Sequence, residues 1–166
     1  MPMDHAVKIE EANAADRAFV VESLAELQGH EARLHDTRKA GEPALCQAYF
    51  DEIAARARAN NGALLVASID ARRVGFLCYW IQQNAAMLEL EDSNRAGYVS
   101  DIFVVPEHRG SGIAGRMLEE AERRLRRHTA IKRLRICSLA VNSPAVAAYN
   151  NAEFQPYEIM FEKILR

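Results

Sequence analysis

The sequence predicts an α/β fold in which a mixed, mostly antiparallel sheet is flanked by about four helices. Three observations predict it: apolar residues recur at helical spacing in several segments, alternating β-rich runs separate these segments, and an apolar strand enters a helix through a glycine-rich turn within residues 98–118. With 166 residues, 49% of them hydrophobic, the chain is long enough to bury a core. We therefore expect residues 1–166 to form a single domain.

The N-terminal half is predicted to contain a short strand, two helices and an antiparallel hairpin. Apolar residues recur at helical spacing over residues 17–34, after a helix start at Asn13 or Asp16, but Gly29 is expected to break or bend this helix. A polar turn beginning at Asp70 joins the two hairpin strands. The other predicted bounds are 7–9 for the first strand, 44–59 for the second helix, and 63–69 and 74–81 for the hairpin.

The C-terminal half is predicted to contain three strands that alternate with two helices. After a turn at residues 92–97, the strand–helix–strand order from residue 98 onward is that of a βαβ unit, whose two strands run parallel. The last helix is expected to have Ser143 as its N-cap and Pro144 as its first residue. The remaining bounds are 98–105 for the central strand, 112–128 for the third helix, and 133–139 and 157–165 for the last two strands. The third helix is predicted to turn one apolar side to the core, formed by Ile113, Met117, Leu118, Ala121 and Leu125.

The turn between the central strand and the third helix is predicted to bind a phosphate. Helix N-termini present unpaired N–H groups to anions, and Gly110, Gly112 and Gly115 allow close approach to the backbone. These glycines also fit a dinucleotide-binding fingerprint. That reading is disfavoured because four residues separate the strand from Gly110, and because the next strand is followed by Asn142 rather than by an acidic residue.

Composition argues against several other classes of function. The formal net charge of -2 gives no general attraction to nucleic acid, and the arginines at the end of the third helix are matched by glutamates at i, i+4. The expected i, i+4 pairs are Glu119/Arg123, Glu120/Arg124 and Glu122/Arg126. No apolar run approaches the length of about 20 residues that crosses a bilayer, so we expect a cytoplasmic protein.

The histidines and cysteines do not form recognisable metal or redox motifs. His30 and His35 are one residue too far apart for a zinc H-E-x-x-H motif. Cys46, Cys78 and Cys137 form no C-x-x-C pair and are expected to be buried.

Two motifs resemble those of the GCN5-related N-acetyltransferase (GNAT) superfamily. Residues 109–114, Arg-Gly-Ser-Gly-Ile-Ala, resemble the R/Q-x-x-G-x-G/A signature, and residues 142–154 resemble N-x-x-A-x-x-x-Y-x-x-x-G-F, with Glu153 where glycine is usual. The resemblance implies a GNAT-like acyl-CoA N-acyltransferase fold with a splayed parallel pair of strands. It also implies that acetyl-CoA lies between those strands, that no metal is needed, and that the acetyl group passes directly to a primary amine in a ternary complex. The cofactor-binding residues it implies are Ile102, Phe103, Val104, Arg109, Gly110, Ser111, Gly112, Ile113, Ala114, Gly115 and Asn142.

The resemblance also suggests the catalytic residues. Tyr149 matches the tyrosine that serves the family as general acid. Many relatives carry an acidic residue on the central strand at the place of Ser100, and Asp101 is next to it; strand alternation predicts that these two side chains point to opposite faces. We expect Asp101 to act as base or as anchor for a cationic amine, with Glu89 and Glu91 in reserve.

Several alternatives remain open at this stage. The acceptor is a small-molecule or peptide amine: a polyamine, an amino-sugar antibiotic, an amino acid or a protein N-terminus. The polar loop at residues 36–43 is a candidate wall of its site. A CoA-binding sensor or interaction module without turnover, and acyl transfer through a cysteine, are the competing functions. A homodimer is possible for this fold, whereas nucleic acid and membrane partners are not expected.

Overall fold

A computed structural model of the chain describes residues 6–165. Five strands form one sheet in the order β1-β2-β3-β4-β5; the first three pairings are antiparallel and β4–β5 is parallel. The predicted α/β fold with a mixed sheet is thus confirmed. The elements are β1 (Lys8–Glu11), α1 (Arg17–Leu34), α2 (Pro43–Ala59), β2 (Ala63–Ile69), β3 (Arg72–Gln83), α3 (Glu91–Asn94), β4 (Arg95–Val104), α4 (Ile113–Leu125), β5 (Leu134–Ile136) and α5 (Ser143–Asn151).

Helix α1 continues through Gly29, so the predicted break there is wrong. A glycine inside a helix costs about 1 kcal/mol relative to alanine, and the loop that follows α1 contacts the turn just before Gly29. The Gln28 side chain donates to the carbonyl of Lys39 at 2.7 Å. Gly41 approaches α1 so closely that a Cβ there would lie 2.1 Å from the carbonyl oxygen of Ala25. The loop after α1 therefore packs back against the helix and holds its last turns.

The hairpin of β2 and β3 is confirmed, and its turn is tighter than predicted. Only Asp70 and Ala71 separate the paired residues Ile69 and Arg72, and both have positive φ, +47° and +63°. Two-residue turns with this backbone match the right-handed twist of the flanking strands. Strand β3 begins two residues earlier and ends two residues later than predicted, and its long central part is buried.

Helices cover both faces of the sheet. On one face α4 buries the five residues predicted to face the core, and on the other α1 and α2 cover Phe76 and Phe103. Gly97 explains why α4 lies so close, because a Cβ there would meet Leu125 at 2.5 Å. This glycine belongs to β4, which starts at Arg95 rather than at residue 98. The five core residues of α4 are Ile113, Met117, Leu118, Ala121 and Leu125.

Strand β4 contains a bulge at Ser100, and beyond it the sheet splays. Val99 pairs with Tyr79 and Asp101 pairs with Cys78, which leaves Ser100 as the extra residue on β4. On its other side β4 pairs with β5 only through residues 97–99. The backbone of β4 after Val99 therefore has an open edge, which is the splay that the resemblance implied.

The C-terminal part departs from the predictions in two places. Helix α5 is capped by Asn142, whose side-chain oxygen accepts from Ala145 N at 3.4 Å, and not by Ser143. Residues 157–165 alternate in polarity but form no strand within the described chain, and Ile159 and Phe161 are 69% and 89% exposed. A strand needs a neighbouring edge to pair with, and β5 offers only three paired residues.

The surface of α4 and the cysteines also differ in part from expectation. Glu120 pairs with both Arg123 and Arg124, and Glu122 pairs with Arg126, so the predicted Glu119/Arg123 pair is replaced by one at i, i+3. Cys46 and Cys78 are buried as predicted, but Cys137 is exposed because it follows the short β5. Across residues 6–165 no helix combines the length and the hydrophobicity needed to cross a membrane.

Candidate active site

The glycine turn, residues 109–115, connects β4 to α4 through a backbone that strongly favours glycine. Gly110 and Gly112 have φ of +78° and +83°, and Gly112 is the N-cap of α4. The Ser111 hydroxyl donates to the carbonyl of His108 at 2.5 Å, which ties the turn to the preceding 3-10 turn Pro106–His108. The predicted strand–turn–helix arrangement is therefore present.

The glycine turn presents a run of unpaired donors. Among residues 6–165, none supplies an acceptor for the backbone N–H groups of residues 110–115. A Cβ built on Gly110, Gly112 or Gly115 would meet no atom within 4 Å, so the turn is open on the outside. Six consecutive N–H groups at the positive end of a 13-residue helix suit a large anion such as a pyrophosphate.

The open edge of β4 offers backbone groups next to this turn. Val105 N donates to Val74 O on β3, at 3.0 Å, and strand alternation then directs the polar groups of Ile102 and Val104 away from β3. The backbone groups of these two residues, which the resemblance assigns to cofactor binding, are therefore open to a ligand. The backbone of Phe103 faces β3, where it pairs with Phe76.

Arg109 ties the glycine turn to the end of β4. Its Nε donates to Val104 O at 2.9 Å, its guanidinium lies 5.5 Å from the centre of the Phe103 ring, and it is 3.5 Å from Glu26 on α1. The side chain therefore occupies one of the acceptors on the open edge.

The bulge places Ser100 and Asp101 on the same face, so the prediction of opposite faces is wrong. One extra residue shifts the alternation, and Asp101 then lies with Cys78 on the side covered by α1 and α2. The Tyr49 hydroxyl donates to Asp101 Oδ2 at 3.0 Å. Burial raises the pKa of Asp101 and the nearby charge of Glu31 adds to this, while hydrogen bonds from Ser100 and Tyr49 lower it; the net shift is upward.

Tyr49 is a site residue that the sequence reasoning missed. It belongs to a stripe on α2 at four-residue spacing, in which Ile53 and Ala57 are 2% and 1% exposed but Leu45 and Tyr49 are 38% and 37% exposed. The stripe therefore starts at a cavity and ends in the core. Burial raises the pKa of the Tyr49 hydroxyl, and the charge of Asp101 raises it further.

A cavity of about 270 Å³, which we call the α1–α2 cavity, lies between these helices and Asp101. Its wall includes Thr37, Arg38 and Lys39, so the loop at residues 36–43 does wall a cavity next to the candidate catalytic residue. A larger depression of about 510 Å³ runs along β1 and the β2–β3 turn, but none of the predicted site residues lines it.

Tyr149 on α5 is half-buried, with its ring 6.2 Å from that of Phe154. Burial raises the pKa of Tyr149 to about 12, and negative charge at Glu31, Cys137 and Asp101 contributes. The Tyr149 hydroxyl is therefore near enough to Glu31 on α1 and Asp101 on β4 to be affected by their charges. Its hydroxyl makes no hydrogen bond to any residue from 6 to 165.

Tyr98 and Cys137 lie where β4 and β5 separate, and the sequence reasoning assigned neither of them to the site. Burial raises the pKa of Tyr98 to about 12, and its contact with the Cys137 thiol contributes to the shift.

Cys78 lies beside Asp101, and burial raises the pKa of its thiol to about 12. A buried thiol of this kind stays protonated at neutral pH and is a poor nucleophile.

The remaining predicted acids lie elsewhere. Glu89 accepts from the Ser93 hydroxyl and is 3.5 Å from the Tyr157 hydroxyl, and Glu91 begins α3; neither lines the α1–α2 cavity. Glu153 adopts φ +65°, in the left-handed region that glycine adopts most readily. Within residues 6–165 no three His, Cys, Asp or Glu side chains are grouped closely enough to hold a metal ion.

Comparison with known structures identifies the fold. A tetramutant of the BH1408 protein from Bacillus halodurans is 18% identical, with a TM-score of 0.82 over 95% of this chain and 99% of that one. A predicted acetyltransferase from Clostridium acetobutylicum, solved with acetyl-CoA, is 16% identical, with a TM-score of 0.69 over 96% of each chain.

An apo aminoglycoside 6'-N-acetyltransferase from Acinetobacter haemolyticus is 20% identical, with a TM-score of 0.65 over 96% of this chain and 99% of that one. No curated protein matches the chain. A model of the acetyltransferase (GNAT) family matches residues 23–154. Because this match spans most of the sequence and agrees with the fold, the chain belongs to the acetyltransferase (GNAT) family.

Proposed function

We propose that this protein transfers the acetyl group of acetyl-CoA to a primary amine by direct attack in a ternary complex. The observation that carries the proposal is the arrangement around β4: unpaired N–H groups and an open strand edge lie at its end, and Asp101 lies on the same strand beside the α1–α2 cavity. The arrangement allows a cofactor and an amine to meet at one strand.

The residues present fit the cofactor. The N–H groups of residues 110–115 would hold the pyrophosphate, the polar groups of Ile102 and Val104 would pair with the pantetheine arm, and the Asn142 amide would approach it from the start of α5. When bound, acetyl-CoA supplies a thioester that an amine can attack. Pairing with the carbonyl of Val104 would require Arg109, whose Nε donates to it, to give up that hydrogen bond.

Asp101 and Tyr149 move the protons. A primary amine is mostly protonated near neutral pH, and Asp101, with its raised pKa, accepts the first proton and passes it to solvent. The nitrogen then forms its bond to the acetyl carbon as the carbon–sulfur bond breaks. Tyr149 gives its proton to the departing sulfur and regains one from the new amide nitrogen. Its pKa of about 12 keeps it protonated until that moment.

A steady-state experiment tests this proposal. Thiol release from acetyl-CoA is measured against a panel of primary amines, with both substrates varied. We expect amine-dependent release with intersecting reciprocal plots, which indicate a ternary complex. Parallel plots would instead indicate a covalent acyl-enzyme intermediate, and cofactor binding without release for any amine would indicate a CoA-binding module.

A further inference from the structure

The α1–α2 cavity is apolar over most of its wall. Leu24 and Cys46 are buried, each 3% exposed, at the inner side of the cavity. Leu27, Leu45 and the ring of Tyr49 are more exposed and line the rest of the apolar wall. Such walls favour a ligand with an apolar body, because the wall and the ligand both leave water on binding. The side chains that form the apolar part are Leu24, Leu27, Leu45, Cys46 and the Tyr49 ring.

The charged groups in the cavity wall leave room for one cation. Glu31 forms an ion pair with Arg38 at 3.4 Å, so its negative charge is already compensated within the protein. Asp101 has a hydrogen bond from Tyr49 but no ion pair with any residue from 6 to 165, and its carboxylate is the one wall acid without a cationic partner there. A second ammonium held inside the cavity would lie near Arg38 or Lys39, where like charges repel.

The walls of the cavity enclose a small volume and leave its mouth open to solvent. A cavity of about 150 Å³ lined by aliphatic side chains accommodates benzene, and pockets for drug-sized ligands begin near 300 Å³. The α1–α2 cavity, at about 270 Å³, accommodates a short alkyl chain or one aromatic ring with its linker. The enclosed space is too small for the several rings of an aminoglycoside, and Asp101 can match only one of its ammonium groups.

We propose that the acceptor is a small monoamine with an apolar body, whose ammonium pairs with Asp101 and whose body packs against Leu24, Leu27 and Leu45. This inference rests on the proposed acetyl transfer, and it adds the substrate class. The reaction balances as one nitrogen–carbon bond formed and one carbon–sulfur bond broken, with the free thiol as product and one proton passed through Asp101 to solvent.

A matched pair of amines tests the inference. n-Hexylamine and 1,6-diaminohexane have the same carbon chain and differ by one ammonium group. We expect kcat/KM for n-hexylamine to exceed that for the diamine by about tenfold or more. The second ammonium of the diamine would be placed near Arg38 and Lys39 without a partner, which lowers its binding by at least this factor. Equal efficiency, or a preference for the diamine, would overturn the inference.

A pair of variants on α2 tests the role of the wall. Leu45→Glu adds an acid to the cavity, and we expect it to lower kcat/KM for n-hexylamine and to raise that for 1,6-diaminohexane. Gln47→Glu adds the same charge two residues along the helix, outside the cavity lining, and should change neither value. A Leu45→Glu protein that treats both amines as the wild type does, while folded, would contradict the proposed wall.

The two proposals fail separately. If acetyl-CoA binds but no amine is acetylated, the proposed function fails, and the substrate class is then judged by calorimetric binding of the same two amines to the protein saturated with CoA. Tighter binding of n-hexylamine supports the proposed cavity chemistry. Tighter or equal binding of the diamine, or no binding of n-hexylamine, overturns it.

Discussion

The two sites that meet at β4 are built from different materials. The glycine turn offers backbone N–H groups from consecutive residues, while the side chains of Arg109 and Ser111 bond to neighbouring carbonyls of the protein. The α1–α2 cavity offers side chains from α1, the following loop, α2 and β4, which are far apart in the sequence. A backbone site demands glycine at fixed neighbouring positions and therefore leaves a readable motif. A side-chain site leaves no such local pattern.

The two sites also differ in their response to pH. Peptide N–H groups do not titrate, so cofactor binding by the glycine turn should vary little with pH near neutrality. Asp101 and Tyr149 both have raised pKa values, for which burial is the first cause. Substitutions in the glycine turn should therefore affect binding, and those around the cavity should affect rates and pH profiles.

The largest effect is expected from Gly112→Asp. The variant adds a side chain at φ +83° and a negative charge at the proposed pyrophosphate site, so acetyl-CoA binding should fall below detection by calorimetry up to millimolar cofactor. Gly29→Ala, inside helix α1, is the matched control and should bind normally. Unchanged affinity in a folded Gly112→Asp protein would remove the turn from the cofactor site.

Tyr149→Phe should lower kcat by about 10²-fold or more, since general acids contribute on that scale, and should leave the Kd for acetyl-CoA nearly unchanged. The phenylalanine keeps the packing against Phe154 and removes only the proton. Tyr157→Phe, at an exposed tyrosine outside the site, serves as control. A Tyr149→Phe enzyme with wild-type kcat would return Tyr149 to a packing role.

Asp101→Asn should remove the acidic limb of the kcat/KM profile. A base acts only when deprotonated, so activity falls as the pH drops through its pKa; because the pKa of Asp101 is raised, this limb should lie above the ordinary aspartate value of about 3.9. The profile is measured with one good amine. An unaltered limb in the folded variant would direct the search for the base to other residues.

Tyr49→Phe gives a smaller and more specific shift. The Tyr49 hydroxyl stabilises the Asp101 carboxylate and lowers its pKa, so removing the hydroxyl should raise that pKa and move the acidic limb to higher pH. The maximal rate should change less than in Asp101→Asn. A limb that moves to lower pH would contradict the role assigned to this hydrogen bond.

The smallest effect is expected on stability. Glu153 has φ +65°, a conformation that costs a residue with a Cβ about 1 kcal/mol or more. Glu153→Gly should therefore raise the free energy of unfolding by up to about 1 kcal/mol, partly offset by the greater freedom of the unfolded chain. Thermal or urea unfolding measures it. Asn150→Gly, inside α5, should lower stability instead.

The sequence predicts most of the fold because its signals are local. The core side of α4 is confirmed at all five positions, since a period of 3.6 residues is unambiguous over 13 residues. The hairpin follows from two β-rich runs and a polar turn. The glycine turn follows from residues whose backbone few other residues adopt.

What the sequence fails to predict depends on partners distant in the chain. The bulge at Ser100 arises from the register between β3 and β4, and no single residue marks it, so the faces of Ser100 and Asp101 are assigned wrongly from alternation. The hydrogen bond from Tyr49 joins residues 52 positions apart. Residues 157–165 show the opposite failure, in which a clear alternation finds no edge to pair with.

The short pairing between β4 and β5 has a consequence for local unfolding. Three register pairs join the strands, and the residues they bring together, such as Gly97 and Leu134, are roughly 37 positions apart in the chain. The β2–β3 hairpin is linked by seven pairs across a two-residue turn. β5 should therefore open at a lower free energy than the hairpin, and its amide protons should exchange with solvent sooner. Acetyl-CoA bound between β4 and β5 would slow that exchange, because a ligand that requires the closed pair stabilises it by mass action.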